Sequence, residues 1–207
     1  EIAHQHACFL QGEPTDVVEL WRLAEPIVDA VDYLSSSWMA LEALTWSGVD
    51  DDLAHQALDG FERAARSAGA AQSIVKLHDF RGNLLIRRGA LCEGEAELRI
   101  AADEADQTEM PGDMSRSALA LLLASTGHLD EAEVAAMRCP TATGGDELPL
   151  LVAVHQSCLG FIDLCAGRWE PAVGALTLAW AAADRVGLRD LTSLPFRADL
   201  VEALTNC

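Results

Sequence analysis

Apolar residues along the chain recur at helical rather than alternating spacing. Leu119, Leu122, Leu123 and Thr126 fall at steps of three and four, and Leu159, Ile162, Leu164 and Ala166 follow a similar rhythm. That is the period of an amphipathic helix, and no stretch sustains the period of two that a strand requires. The pattern predicts helices over 16–30, 33–46, 51–67, 70–88, 92–106, 114–126, 129–138, 148–166, 169–186 and 190–205. Between them, Cys139-Pro-Thr-Ala-Thr-Gly-Gly-Asp146 is the one long loop, rich in turn formers and the expected place for proteolysis.

The polar punctuation between helices repeats. Gly127-His-Leu129-Asp-Glu-Ala132 and Gly167-Arg-Trp169-Glu-Pro-Ala172 share a glycine, a large apolar residue two positions on and an alanine five positions on. Gly89-Ala-Leu91-Cys-Glu-Gly94 is a third copy with glycine in place of the alanine, and weaker turns sit at Gly48 and Gly12. Counted between these glycines, the spacings are 36, 41, 38 and 40 residues, the period of a helical hairpin. In such a turn the glycine takes the left-handed conformation that ends the first helix. The large apolar residue is then expected to plug the turn, and the small one to admit the second helix. Small residues also stand seven positions before three of the turns, at Gly82, Ala120 and Gly160, where the helices of each hairpin are expected to cross. Each hairpin leaves an apolar face for the next to cover, so one domain, 1–207, of about five hairpins stacked as a right-handed solenoid is expected.

Composition sharpens this to an all-α chain. Ala and Leu number 35 and 30, against 12 Val, 6 Ile and 9 Thr, so strong helix formers far outnumber β-branched residues. The 33 acidic residues against 14 basic ones give a formal net charge of −19, which repels phosphate backbones and excludes direct nucleic-acid binding. The longest uncharged runs, Leu148–Ile162 and Pro171–Ala183, are shorter than the roughly 20 residues of a membrane-spanning helix. No basic segment precedes an apolar one at the start, and the first residue is Glu1 rather than Met, so the sequence reads as a piece of a longer protein. Six cysteines without a CxxC pair suit a reducing cytoplasm.

The Gly-x-apolar-x-x-Ala turn with its preceding small residue resembles the tetratricopeptide repeat, at a period longer than 34 residues. The segment Leu194-Pro-Phe-Arg-Ala-Asp-Leu-Val-Glu-Ala-Leu204 and the Gly127-His-Leu-Asp-Glu-Ala132 turn resemble the helical-repeat region of large ATP-binding LuxR-family transcriptional regulators, a resemblance that spans roughly residues 70–204. It implies a tetratricopeptide-like sensor arm, with a nucleotide-binding module and a DNA-binding helix-turn-helix outside this sequence as its partners. The sequence itself contains no phosphate loop: its one lysine, Lys76, is followed by Leu77. An effector or partner protein would meet the arm on its concave side.

Candidate chemistry is sparse. His4, His6 and Cys8 form an HxHxC cluster, but on a helix His6 points away from the other two. Cys158 and Cys165 lie two helical turns apart, about 10 Å and beyond disulfide reach. Asp50-Asp51-Asp52 lacks the alternation and the glycine of a calcium loop and reads as a helix start. Neither Gly-x-Ser-x-Gly nor HExxH occurs, so no catalytic residue, metal or cofactor is assigned. Counting back from the turns to the inward-facing repeat positions gives Trp38, Glu42, Trp46, Lys76, Asp79, Asn83, Arg87, Ser117, Ser157, Phe161 and Phe196. Aromatic residues beside convergent polar groups suit a small polar ligand or a peptide. The same aromatic residues could instead pack between repeats, and Lys76, Asp79 and Arg87 could form a solvated face. Trp169 reads as a turn plug. The function expected is a non-catalytic sensor or interaction arm; the alternative is a stand-alone scaffold that binds a peptide segment, basic partners being favoured by the charge.

Overall fold

Five glycines singled out by the repeat pattern, Gly12, Gly48, Gly89, Gly127 and Gly167, all have positive φ, between 66° and 86°, in the computed structural model. The structure describes residues 1–29, 31–32, 35–108, 112–139, 148–189 and 196–207. At Gly89, the glycine N–H donates to the Ile86 carbonyl (2.9 Å) and the Ala90 N–H to the Leu85 carbonyl (2.9 Å). Gly167 and Arg168 repeat this pair on Leu164 and Asp163, at 3.0 and 2.8 Å. The two bonds satisfy carbonyls that the helix end would otherwise leave open, and the left-handed residue that allows them is least strained as glycine.

The regular structure of the described residues is all helix, without a strand, and the chain divides into two compact units, Glu1–Met110 and Pro111–Cys207. The first contains α1 (Ile2–Leu10), α2 (Val17–Ala24), a 3-10 turn (Glu25–Ile27), α3 (Ser36–Ser47), α4 (Asp51–Ala68), α5 (Ala71–Arg87) and α6 (Leu91–Thr108). The second contains α7 (Asp113–Ser125), α8 (Leu129–Met137), α9 (Pro149–Cys165), α10 (Trp169–Arg185) and α11 (Phe196–Asn206).

Two differences from the expected helices have local causes. The helix expected over 16–30 stops at Ala24 and tightens into the 3-10 turn, because Pro26 lacks an N–H and its ring collides with the preceding turn of an α-helix. An unexpected helix, α1, precedes it; its apolar residues are few, but Phe9 is buried and Ile2 and Leu10 pack against the core. Residues 30, 33 and 34 lie outside the described residues, as do 140–146 of the expected loop and 190–195 of the last helix and its LuxR-like segment.

The crossing glycines explain the pairing of helices. A Cβ built on Gly82 of α5 would lie 2.7 Å from Leu98 Cγ and 3.1 Å from the Gly94 carbonyl of α6. One built on Gly94 would lie 3.0 Å from the Gly82 carbonyl, which is why this copy of the turn motif has glycine where the others have alanine. Gly160 on α9 faces Leu176 and the Ala172 carbonyl of α10 as closely. Ala132, Ala172 and Ala120 are fully buried. The expected turn plugs are only partial: Leu129 and Trp169, each the first residue of its helix, are half-buried, and Leu91, the first of α6, is 40% exposed.

The first unit is centred on aromatic residues. The ring of Trp38 lies 4.6 Å from Phe61 and 6.1 Å from Phe80, and Trp21 lies 6.0 Å from Phe61. Trp38, Phe61 and Phe80 are almost fully buried, joining α3, α4 and α5. The second unit relies on Leu123, Ile162, Leu176 and buried alanines, with α11 packed on α9 and α10.

Candidate functional site

Two helices of the first unit carry seven of the expected groove residues. On α3, Trp38, Glu42 and Trp46 follow one another at steps of four; on α5, Lys76, Asp79, Asn83 and Arg87 do so at steps of three and four. Such spacing sets each series on one face of its helix, and α3 packs against α5. The two faces therefore meet in one strip, although even their nearest members, Trp46 and Lys76, stand 30 positions apart in sequence.

Within the strip the residues divide into floor and rim. Trp38 is fully buried and belongs to the core, not to an open surface. The Lys76 Nζ lies over its ring, 5.3 Å from the centroid, and 5.4 Å from that of Phe80, a cation–π arrangement with the aliphatic stem covering the core. Trp46 is half-buried against the same core. Glu42, its side chain 18% exposed, meets His6 Nε2 of α1 at 3.6 Å. The Trp38 indole N–H has no hydrogen-bond partner.

Asp79 is the chemically unusual member. It is 5% exposed, and its carboxylate accepts a hydrogen bond from Asn83 Nδ2 at 3.2 Å; the same amide also donates to the Asp79 carbonyl at 2.9 Å. Burial pushes the Asp79 carboxyl up to about 7; nearby Lys76 opposes the rise, Glu42 adds to it, and the Asn83 hydrogen bond draws it down.

Arg87 has a different task from the one expected of a groove residue. Its guanidinium donates to the Thr45 carbonyl near the end of α3 and pairs with Asp51 at 2.6 Å, so it clamps α3 to α4. Asp50 caps α4 by accepting from the Leu53 N–H at 2.9 Å, and Asp52 pairs with Arg88 at 3.4 Å. The acidic triplet thus works as helix start and ion-pair partner.

The remaining candidates lie in the second unit. Phe161 is half-buried on α9 and Phe196 is 2% exposed. Ser157 is buried and donates to the Val154 carbonyl, and Ser117, also buried, lies 3.6 Å from Cys139 Sγ. Cys158 is buried and Cys165 exposed, on one helix. Trp169 borders an open hollow of about 420 Å³ with Arg168, Glu170, Pro171, Asn206 and Cys207.

Sequence reasoning missed His6 as a neighbour of Glu42, and the signal was weak: only Ile2, Phe9 and Leu10 betray the helix that carries it. In that helix Cys8 Sγ stands 3.9 Å from His4 Nε2, while His6 turns to Glu42, the division that helical spacing predicts. Among the described residues no group of three or more His, Cys, Asp or Glu is arranged to hold a metal, and no helix is long and apolar enough to cross a membrane. No protein-family model matches the chain, and no curated protein or solved structure matches it.

Proposed function

We propose that the chain is a non-catalytic binding arm whose receiving surface is the α3/α5 strip, and that it serves a bacterial regulator of the LuxR type by passing the bound state to ATPase and DNA-binding modules. The observation that carries the binding reading is the convergence of Glu42, Trp46, Lys76, Asp79 and Asn83 from two separate helices. A half-buried aromatic residue beside acid, amide and ammonium groups offers apolar area together with orienting hydrogen bonds. The regulator assignment is supported by the Gly127–Ala132 turn and the tail segment quoted above, and by the recurrence of glycine-closed hairpins. The right-handed stacking of those hairpins is part of the same proposal. Binding would act by favouring one arrangement of the arm over another.

The test is thermal stabilisation of the chain by a panel of small metabolites and peptides. A true ligand of the strip stabilises saturably, and the effect is lost in Asn83→Ala and Trp46→Ala but retained in Trp180→Ala, which alters an exposed residue of the second unit. Equal loss in all three variants, or none in the first two, places the binding elsewhere and overturns the assignment of the strip.

A further inference from the structure

In the second unit α9 packs on both α7 and α8, and α11 packs on both α9 and α10, so each helix pair seats the helix that follows it. The pair α10 and α11 presents a further groove of this kind. On α10, Trp169, Val173 and Trp180 stand at steps of four and seven; on α11, Arg197, Val201 and Leu204 stand at steps of four and three. Each set shares one face of its helix. The two faces meet at both ends. At one end the Arg197 guanidinium lies over the Trp180 ring, 5.3 Å from its centroid. At the other, the open hollow of about 420 Å³ is lined by Trp169 and Pro171 of α10 and by Asn206 and Cys207. Between these ends apolar side chains stand uncovered: Trp180 is 47% exposed, Val201 63% and Leu204 56%. Trp169 and Trp180 are 11 positions apart, about 16 Å along α10, which is the length of three helical turns.

The edges of the groove are negative. Glu170 adjoins Trp169, Asp184 stands one turn beyond Trp180, and Glu202 adjoins Val201; all three are exposed. None of them forms an ion pair among the described residues. The nearby cations are engaged or turned away. Arg168 pairs with Asp163 and Glu133, Arg197 donates to the Leu188 and Arg189 carbonyls, and helical spacing sets Arg185 on the far side of α10 from Trp180. Burial, with Glu202 adding to it, also holds the Asp199 carboxyl of α11 above the ordinary aspartate range. Apolar walls between acidic edges complement a helix whose apolar face lies between basic residues.

We infer that the α10/α11 groove docks an amphipathic helix of a partner protein. The apolar face of that helix covers Val173, Val201 and Leu204 between the two tryptophans, and its arginine or lysine residues meet Glu170, Asp184 and Glu202. The surface belongs to the second unit and does not depend on the α3/α5 strip, so either assignment can fail alone.

The experiment is fluorescence anisotropy of a labelled peptide of about four helical turns, with leucines at steps of three and four and arginines on either side, titrated with the whole chain. Three counterparts accompany it: glutamate in place of arginine, serine in place of leucine, and a central proline that breaks the helix. The arginine–leucine peptide is expected to bind saturably, more weakly as salt is added, and each counterpart about tenfold more weakly still. In the chain, Val201→Ser combined with Leu204→Ser weakens binding about tenfold. Glu202→Lys weakens it about threefold and flattens the salt dependence. Met137→Ser, which alters an exposed residue of α8, leaves it unchanged. The altered side chains are exposed, and melting curves of each variant check that the fold is kept.

Equal binding of the glutamate or serine counterpart, or no binding of the arginine–leucine peptide, overturns the basic amphipathic partner. Equal binding of the proline counterpart overturns its being a helix. Binding that the Val201/Leu204 double variant leaves undiminished, or that Met137→Ser weakens as much, overturns the groove as the docking site. Sedimentation of the chain alone completes the test. A monomer is expected, and a dimer that the double variant separates makes a second copy the occupant and overturns the partner helix.

Discussion

Asp79 shows most directly how one residue sets conditions for the whole fold. Burial pushes its carboxyl up to about 7 in the folded chain, well above the ordinary aspartate range. Below about pH 4 both states hold the proton and burial costs little. As pH rises toward 7 the unfolded state ionises first, so the stability present at low pH is progressively lost. Asp79→Asn removes this dependence. The variant is expected to melt higher than the parent, slightly at pH 4.5 and by a few kcal/mol of added stability at pH 8, as melting curves at the two pH values will show. Arg87 makes the opposite case. Its guanidinium holds the Thr45 carbonyl and Asp51, so Arg87→Ala should destabilise by about 1–2 kcal/mol in urea titrations whether or not a ligand is present. Sequence spacing could place Arg87 on the correct face of α5. It could not reveal that the side chain is spent on joining α3 to α4, because both partners come from more than 30 residues away.

At the scale of elements, one substitution has opposite signs at two glycines. Gly174 lies inside α10 with nothing within 4 Å of where a Cβ would stand. Gly174→Ala should therefore stabilise by about 0.5–1 kcal/mol through helix propensity. At Gly82 the new methyl meets Leu98 at 2.7 Å and the Gly94 carbonyl at 3.1 Å, so α5 and α6 must separate. Gly82→Ala should cost about 1–3 kcal/mol despite the same gain in propensity, and paired denaturant titrations of the two variants will read the contrast. The close crossing was legible in the sequence because the small residue recurs at a fixed distance from the turn glycine at Gly82, Ala120 and Gly160. The helices that end at Gly69, Gly89, Gly127, Gly167 and Gly187 were legible for a related reason, each end being marked by a turn glycine. The N-terminal stretch was not: α1 has only three apolar anchors, and Pro26 cuts the next helix short.

For the whole molecule, charge outweighs any single contact. A formal net charge of −19 on 207 residues means that folding gathers like charges, and the self-repulsion is screened by salt. Raising sodium chloride from 50 to 500 mM is expected to raise the melting temperature by several degrees. A fall would mean that local pairs such as Arg81 with Asp59 and Glu62 dominate instead. The all-helical class followed from composition and periodicity, which sum over many residues and tolerate local error. The division into two compact units did not, since the turn glycines continue past residue 110 at similar spacings, 36 and 41 residues before the interval that contains it and 40 after. Seven of the eleven expected groove residues share α3 and α5 for a reason spacing could supply. Trp38 and Phe196 sank into cores because a large aromatic side chain at an inward position is drawn to whichever apolar neighbours the packing provides.

Lys76, with its ammonium above Trp38 and Phe80, is the only lysine in the sequence. An acylating reagent therefore meets a single lysine in this sequence, and that lysine lies on the strip itself. The rate at which Lys76 is modified becomes a one-residue clock for exposure of the α3/α5 face, slower when a partner covers it. Mass spectrometry of one peptide would read it, with no label to install and no other lysine to subtract.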